Sequence, residues 1–480
     1  MNRTTVATVV ADGLARAGAR RLFAAPGAPA AVVDAARAHG LGVVDVAGAT
    51  AACVMAAVSG ELDEAPGAAA ISLAGGVGAA VDGFAHATRD RAPVIVVSDG
   101  AADARLLEPV SKASLVPDAA SAGHWIAHAA QLAMAPPRGA VHLALTADVV
   151  TSAALPVATS SRRGPLPPVA PDTLEALAEL IARATRPIIV AGLGVSEDDT
   201  KWLRALAETL PAPVLCTPKG KGALPDPHPL ALGLLTAAHP VFARADLVIA
   251  LGVDTVEVSP GTWSSRVSTA HVSRAPSDGE LYDPAVDVIA DIGLVIEELA
   301  PRLRGRGRAD WDVAELDRIK RALVTATAVG PTFDGRKIVG IVREATPAGT
   351  LLALDVPIAD AWQAVAAREL LIPNGAATAG FALPAALAAA LARENRRVMA
   401  IGGAGGFELM ADEFRTAAQL GAPVIAIALN HGGATPALVA RARDAGLLAA
   451  SVSDERAFRA ALASAWTARG PAFIDARLVR

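Results

Sequence analysis

Residues Ile401 to Ala434 read IGGAGGFELMADEFRTAAQLGAPVIAIALNHGGA. An apolar approach, Val398 to Ile401, leads into a glycine turn. A helix-forming run carrying Glu413 follows, and then a β-branched apolar strand, Val424 to Leu429, that ends on Asn430. Strand, turn, helix and strand in this order make a βαβ unit, whose strands belong in a parallel sheet. Glycines let the backbone approach a ligand closely, and the start of a helix offers unpaired N–H groups to a phosphate. The same spacing suits a plain strand-to-helix turn in any large α/β protein, so by itself it speaks for the fold and not for the function.

The residues of this stretch resemble the diphosphate-binding motif of thiamine-diphosphate (ThDP) enzymes of the acetolactate synthase and 2-oxo acid decarboxylase family. That motif runs Gly-Asp-Gly-Ser-Phe, with a Glu in the following helix and an Asn-Asn pair after the next strand. Here Gly403, Gly405, Phe407, Glu413 and Asn430 keep the frame, with Asn430 standing 27 residues past Gly403. The chemistry of the motif is not kept. The family's metal-binding Asp falls on Ala404, its Ser on Gly406, and its second Asn, also a metal ligand, on His431. The resemblance implies ThDP and Mg2+ as cofactors, near Gly403, Gly405, Gly406, Phe407, Asn430, His431 and Gly433. A backbone carbonyl near Gly433 is one metal ligand that the substitutions leave. Magnesium takes oxygen ligands, so neither the Ala404 methyl nor the His431 imidazole replaces what is lost.

The first third of the chain alternates helix and strand: helix over Val6–Ala17, strand over Arg21–Phe23, helix over Thr50–Gly60, strand over Ala68–Leu73, helix over Ala79–Thr88 and strand over Val94–Ser98. Such alternation predicts a parallel sheet covered on both faces. This region resembles the family's pyrimidine-binding domain through Phe23, Pro26 and Gly27, through Ala87, Asp90 and Pro93, and through Gly139, Val141, His142 and Asp148. Its main departure is at Gly48-Ala49, where the family carries His-Glu. The family's Glu binds the aminopyrimidine and drives the proton transfers that form the reactive carbanion; Ala49 does neither. Glyoxylate carboligases, within the family, resemble this chain in having an apolar residue there. The family's Gly-Pro-Gly-x-x-Asn falls on Ala74, Gly75, Gly76 and Ala79, so the polar Asn is gone as well.

Arg162–Pro171 is a proline-rich linker, and Leu299–Arg308 is basic and glycine-punctuated. Between them the chain resembles the family's central domain through Arg186-Pro187, Gly192, Gly194, Lys219-Gly220-Lys221-Gly222 and Ala245-Asp246. In some relatives that domain binds FAD or a nucleotide. Gly192 and Gly194 suit a nucleotide, but a tight strand-to-helix turn is the weightier reading. Near the last domain, Gly375, Gly380, Leu383 and Pro384 match a further family segment whose Met falls on Ala379. The predicted fold is therefore α/β with three domains, each a mainly parallel sheet flanked by helices: 1–160 pyrimidine-binding-like, 172–304 central and 335–480 diphosphate-binding-like.

A chain of 480 residues is too long for one core. A net charge of −5 without a long basic run excludes nucleic acid and anionic membrane surfaces as expected partners. The polar N-terminal stretch and the lack of a convincing membrane span place the protein in the cytoplasm as an expectation. Cys53 and Cys216 are expected as free buried thiols. Cys53, four residues after Ala49, shares its helical face, but a core residue is the weightier reading. His86, His124 and His128 are read as structural. The resemblance implies an acetolactate synthase-like protein acting on a 2-oxo acid, a decarboxylase or carboligase if active. The alternative is a non-catalytic paralogue without the activating Glu and metal ligands, serving as a binding or partner subunit beside an active paralogue. The family's cofactor lies between subunits, which implies a homodimer or homotetramer, with the helices Ala79–Thr88 and Ala376–Ala392 as candidate interface elements.

Overall fold

The computed structural model describes residues 4–74, 77–162, 164–259, 261–263, 267–306, 309–326, 330–374, 378–394, 396–432 and 436–478. Gly75, Gly76, Gly375 and Gly433 lie outside the described residues. Three six-stranded sheets follow one another along the chain. The first holds β1 (Arg21–Ala24), β2 (Gly42–Asp45), β3 (Gly67–Ile71), β4 (Val94–Ser98), β5 (Ala113–Leu115) and β6 (Ala140–Ala144), in the order β2-β1-β3-β4-β6-β5. The second holds β7 (Pro187–Ala191), β8 (Val214–Cys216), β9 (Ala231–Leu234), β10 (Leu247–Leu251), β11 (Ser268–Ser273) and β12 (Val286–Ile289), in the order β12-β11-β10-β7-β8-β9. The third holds β13 (Leu351–Leu354), β14 (Leu370–Leu371), β15 (Val398–Gly403), β16 (Val424–Asn430), β17 (Leu448–Val452) and β18 (Ala472–Arg477), in the order β14-β13-β15-β16-β18-β17. The first and third sheets thus share one topology, a repeat of architecture that the residues themselves do not spell out.

Most successive strands are joined through a helix, which suits parallel pairing, while β8–β9 and β11–β12 are parallel pairs joined by loops. In the third sheet Leu354 stands opposite Ile401 and Gly403 opposite Leu429, so the ends of β13, β15 and β16 come level at one edge. Every residue of β3, β4, β6, β7, β10 and β16 is buried, as expected of strands covered on both faces. β3 reads Gly-Ala-Ala-Ala-Ile where a β-branched run is usual. The helix Ala49–Asp63 lies against it, and a Cβ on Gly67 would fall 1.8 Å from the carbonyl oxygen of Ala56. Small side chains are what let that helix approach.

By compactness the chain forms two units, residues 1–164, 351–356 and 373–480 in one, and 165–350 and 357–372 in the other. In the first unit the helix Ala382–Ala392 packs on the helix Ala49–Asp63, and Ala382 to Ala390 are all buried. This helix starts six residues later than its alanine content suggests, because Gly380 turns the chain at φ +83° just before it. Its burial is satisfied within one chain and needs no second copy. In the second unit the helix Gly335–Ala345, placed by sequence at the head of the last domain, is held by Arg336 on Asp360 at 2.6 Å and by Arg343 over the Trp362 ring at 4.8 Å. No helix among the described residues is long and apolar enough to cross a membrane.

Candidate functional site

In the third sheet the strand order reverses between the parallel neighbours β13 and β15, and ligands of open α/β sheets bind beyond the strand ends at such a point. Asp355 is the first residue past β13, and its carboxyl group enters the glycine turn. Oδ1 accepts from the Gly403 amide at 3.2 Å and Oδ2 from the Ala382 amide at 3.4 Å, with the Gly380 amide also bonded to it. The glycines are required by this contact. A Cβ on Gly402 would lie 2.3 Å from Asp355 Oδ1, and one on Gly406 would lie 2.9 Å from the Gly380 nitrogen. Burial pushes the Asp355 carboxyl up to about 6, against the three amides that favour its ionised form.

Past the turn, Gly403 and Gly405 face open space, and Phe407 is buried with its ring centroid 5.6 Å from that of Phe473. The expected single helix is two: Ala404–Leu409 and Glu413–Leu420, interrupted at Met410–Asp412. Ala404 stands in the first turn with no oxygen to offer. At the end of β16, Asn430 is buried, and both ends of its amide are engaged. Nδ2 donates to Asp475 at 3.0 Å, and Oδ1 accepts from the Gly432 amide at 3.0 Å. His431 is exposed, and so is Ala379. Among the described residues no group of three or more His, Cys, Asp or Glu side chains is placed to hold a metal ion.

At the matching edge of the first sheet, Pro26 and Gly27 follow β1, with Gly27 at φ +78° and close to Ser72. Gly48 caps the helix that begins with Ala49, and neither residue brings a polar side chain. A carboxyl group nonetheless stands at this helix start, supplied by Glu413. Its Oε1 accepts from the Ala47 amide at 3.0 Å, the Gly48 amide is also bonded to it, and Thr416 Oγ1 donates to Oε2 at 2.7 Å. Burial raises the Glu413 carboxyl above its ordinary range. Sequence reasoning placed Glu413 in the frame without its contact, and it missed Asp355; the one available signal was an Asp directly after a buried strand. Cys53 does not look into the cleft. It is fully buried against Gly83, and burial pushes its thiol up to about 12. Both cysteines are free and buried. His86 packs on Phe381 beside Asp90, as a structural side chain.

Three family models match the chain: the N-terminal TPP binding domain of thiamine pyrophosphate enzymes over residues 4–114, their central domain over 174–299 and their C-terminal TPP binding domain over 355–435. The chain belongs to the thiamine diphosphate (thiamine pyrophosphate) enzyme family, as a divergent member of acetolactate synthase type. It is similar to the catabolic acetolactate synthase of Raoultella terrigena, 26% identical over 461 residues that span 88% of this chain and 82% of that protein. It is 27% identical over 479 residues to a 2-hydroxyacyl-CoA lyase of Oryza sativa subsp. japonica, across 88% and 81% of the two. An acetolactate synthase of Mycobacterium avium is 29% identical over 287 residues, 53% of this chain and 45% of that protein.

The family implies ThDP and a divalent ion, and the side chains of the described residues do not fit a metal-bridged diphosphate. Ala404, aligned by the motif with the family's metal-binding Asp, brings a methyl, the buried Asn430 amide bonds Asp475 and Gly432, and Asp355 at the glycine turn takes the Gly403 amide.

Proposed function

We propose that this protein is a ThDP-family paralogue that has lost the metal-anchored, carboxylate-activated reaction, and that it acts as a non-catalytic binding or partner subunit. The observation that carries this reading is Ala404, an alanine at the head of the turn where a diphosphate would need its counter-charge. A carboxyl group lies beside that turn, but it is Asp355, which when ionised repels a phosphate and does not bridge to one. A charged group left unpaired in a desolvated site costs on the order of several kcal/mol. Ala49 supports the same reading from the first sheet. A homodimer or dimer of dimers in the cytoplasm, or a pairing with an active paralogue, completes the proposal.

A second reading keeps the activity, as an acetolactate synthase-like decarboxylase or carboligase of a 2-oxo acid. Glu413 favours it, because a buried carboxyl group with a raised proton affinity sits at the start of the helix where Ala49 brings none. Calorimetric titration of ThDP with Mg2+ into the purified chain separates the two. Weak or absent binding is expected. Protein that retains ThDP through purification and decarboxylates pyruvate or another 2-oxo acid would overturn the non-catalytic reading.

A further inference from the structure

In the second sheet the strand order reverses between the parallel neighbours β7 and β10, and the crevice beyond those strand ends is where a doubly wound sheet takes a nucleotide, with phosphate on a glycine turn. In this chain the two turns meet there. The Gly194 amide donates to the Gly252 carbonyl at 2.8 Å. A Cβ on Gly192 would fall 2.5 Å from both the Gly252 oxygen and Val253 Cα, and one on Gly194 would fall 2.9 Å from Gly252 Cα. Backbone therefore lies on backbone, and both glycines are explained by that contact.

The Glu257 carboxyl group also reaches this turn. Its Oε2 lies 2.8 Å from the place of a Gly192 Cβ and accepts from the Leu193 amide at 2.9 Å and the Asp254 amide at 3.4 Å. Its Oε1 is bonded to the Thr217 hydroxyl, just past β8. Arg274 donates to the Gly194 carbonyl at 2.9 Å, but it is already paired with Asp199 at 3.0 Å and Asp291 at 2.7 Å. Burial first, and then the carboxylates of Asp287, Asp278 and Asp254, raise the Tyr282 phenol, so the fixed charges near this edge add nothing that would draw an anion.

We propose that the carboxyl group of Glu257 is a built-in ligand of this crevice: it takes the Leu193 amide that a nucleotide phosphate would use, joins the two glycine turns, and closes the central domain to dinucleotides such as FAD. Burial pushes the Glu257 carboxyl up to about 8, so near neutral pH it is mainly the uncharged acid and needs no counter-ion.

The test is hydrogen–deuterium exchange on the full chain, with flavin content measured on the purified protein. The protein is expected to carry no flavin, and millimolar FAD or ADP is expected to leave exchange around Leu193 unchanged. Glu257→Ala should speed that exchange at least about tenfold, whereas Glu257→Gln, which keeps the size and an acceptor, should not. Stoichiometric flavin, slower wild-type exchange with FAD or ADP, or unchanged exchange in Glu257→Ala would each overturn the proposal. The wild-type measurements decide it even if Glu257→Ala does not fold.

Discussion

Ala404 brings a methyl group to the turn where the family brings a carboxylate, and His431, the first residue past β16, is exposed. Restoring both, Ala404→Asp with His431→Asn, should give metal-dependent ThDP binding in calorimetry, at least about tenfold tighter than wild type. Adding Ala49→Glu should then restore exchange of the thiazolium C2 proton, followed by NMR. Equal binding by wild type and double variant would count against the proposed loss. Asp355 supplies a pH test. Its folded value of about 6 lies above its ordinary 3.8, so the folded state holds the proton more tightly than the unfolded chain. Its contribution to stability is therefore fully present below pH 3.8 and is lost as pH rises toward 6 and beyond. Asp355→Asn should flatten the decline of stability across that window in urea titrations. A wild-type slope kept in the variant would show that another group causes it.

The helices Ala49–Asp63, Gly78–Arg89 and Ala382–Ala392 show how small side chains set the approach of elements. Gly83 is a point of close approach between the first two. A Cβ there would stand 2.5 Å from Cys53 Cβ and 3.1 Å from its sulfur, and Cys53 is itself fully buried. Gly83→Ala should cost about 1–3 kcal/mol through overpacking, read as a lower urea midpoint at unchanged slope. A midpoint equal to wild type would mean that the helices separate more easily than their burial suggests. The interruption at Met410–Asp412 has a different consequence. It ends the first helix at Leu409 and starts a second at Glu413, whose side chain then reaches the Ala47 amide.

For the assembled protein, the proposed homodimer or dimer of dimers should give light scattering at two or four chain masses at micromolar concentration; a monomer would count against it. Much of the architecture was legible in the chain. Val94–Ser98 is a strand at the bounds its sequence suggests, because it is a short β-branched run lying between turn residues. The start of the helix at Ala382 was not legible, since alanine favours helix throughout 376–392 and only the backbone at Gly380 stops it. Family membership was also readable, because the frame Gly403, Gly405, Phe407, Glu413 and Asn430 is a fact about residue type and spacing. The contacts of Asp355, Glu257 and Glu413 were not readable. Asp355 meets the Gly403 amide from 48 residues away, Glu257 meets the Leu193 amide from 64, and Glu413 meets the Ala47 amide from 366. Local pattern can place a carboxyl group after a strand or in a helix, but the amide it meets depends on strand order and on how closely glycines and alanines let the backbones approach. Only the folded chain sets these.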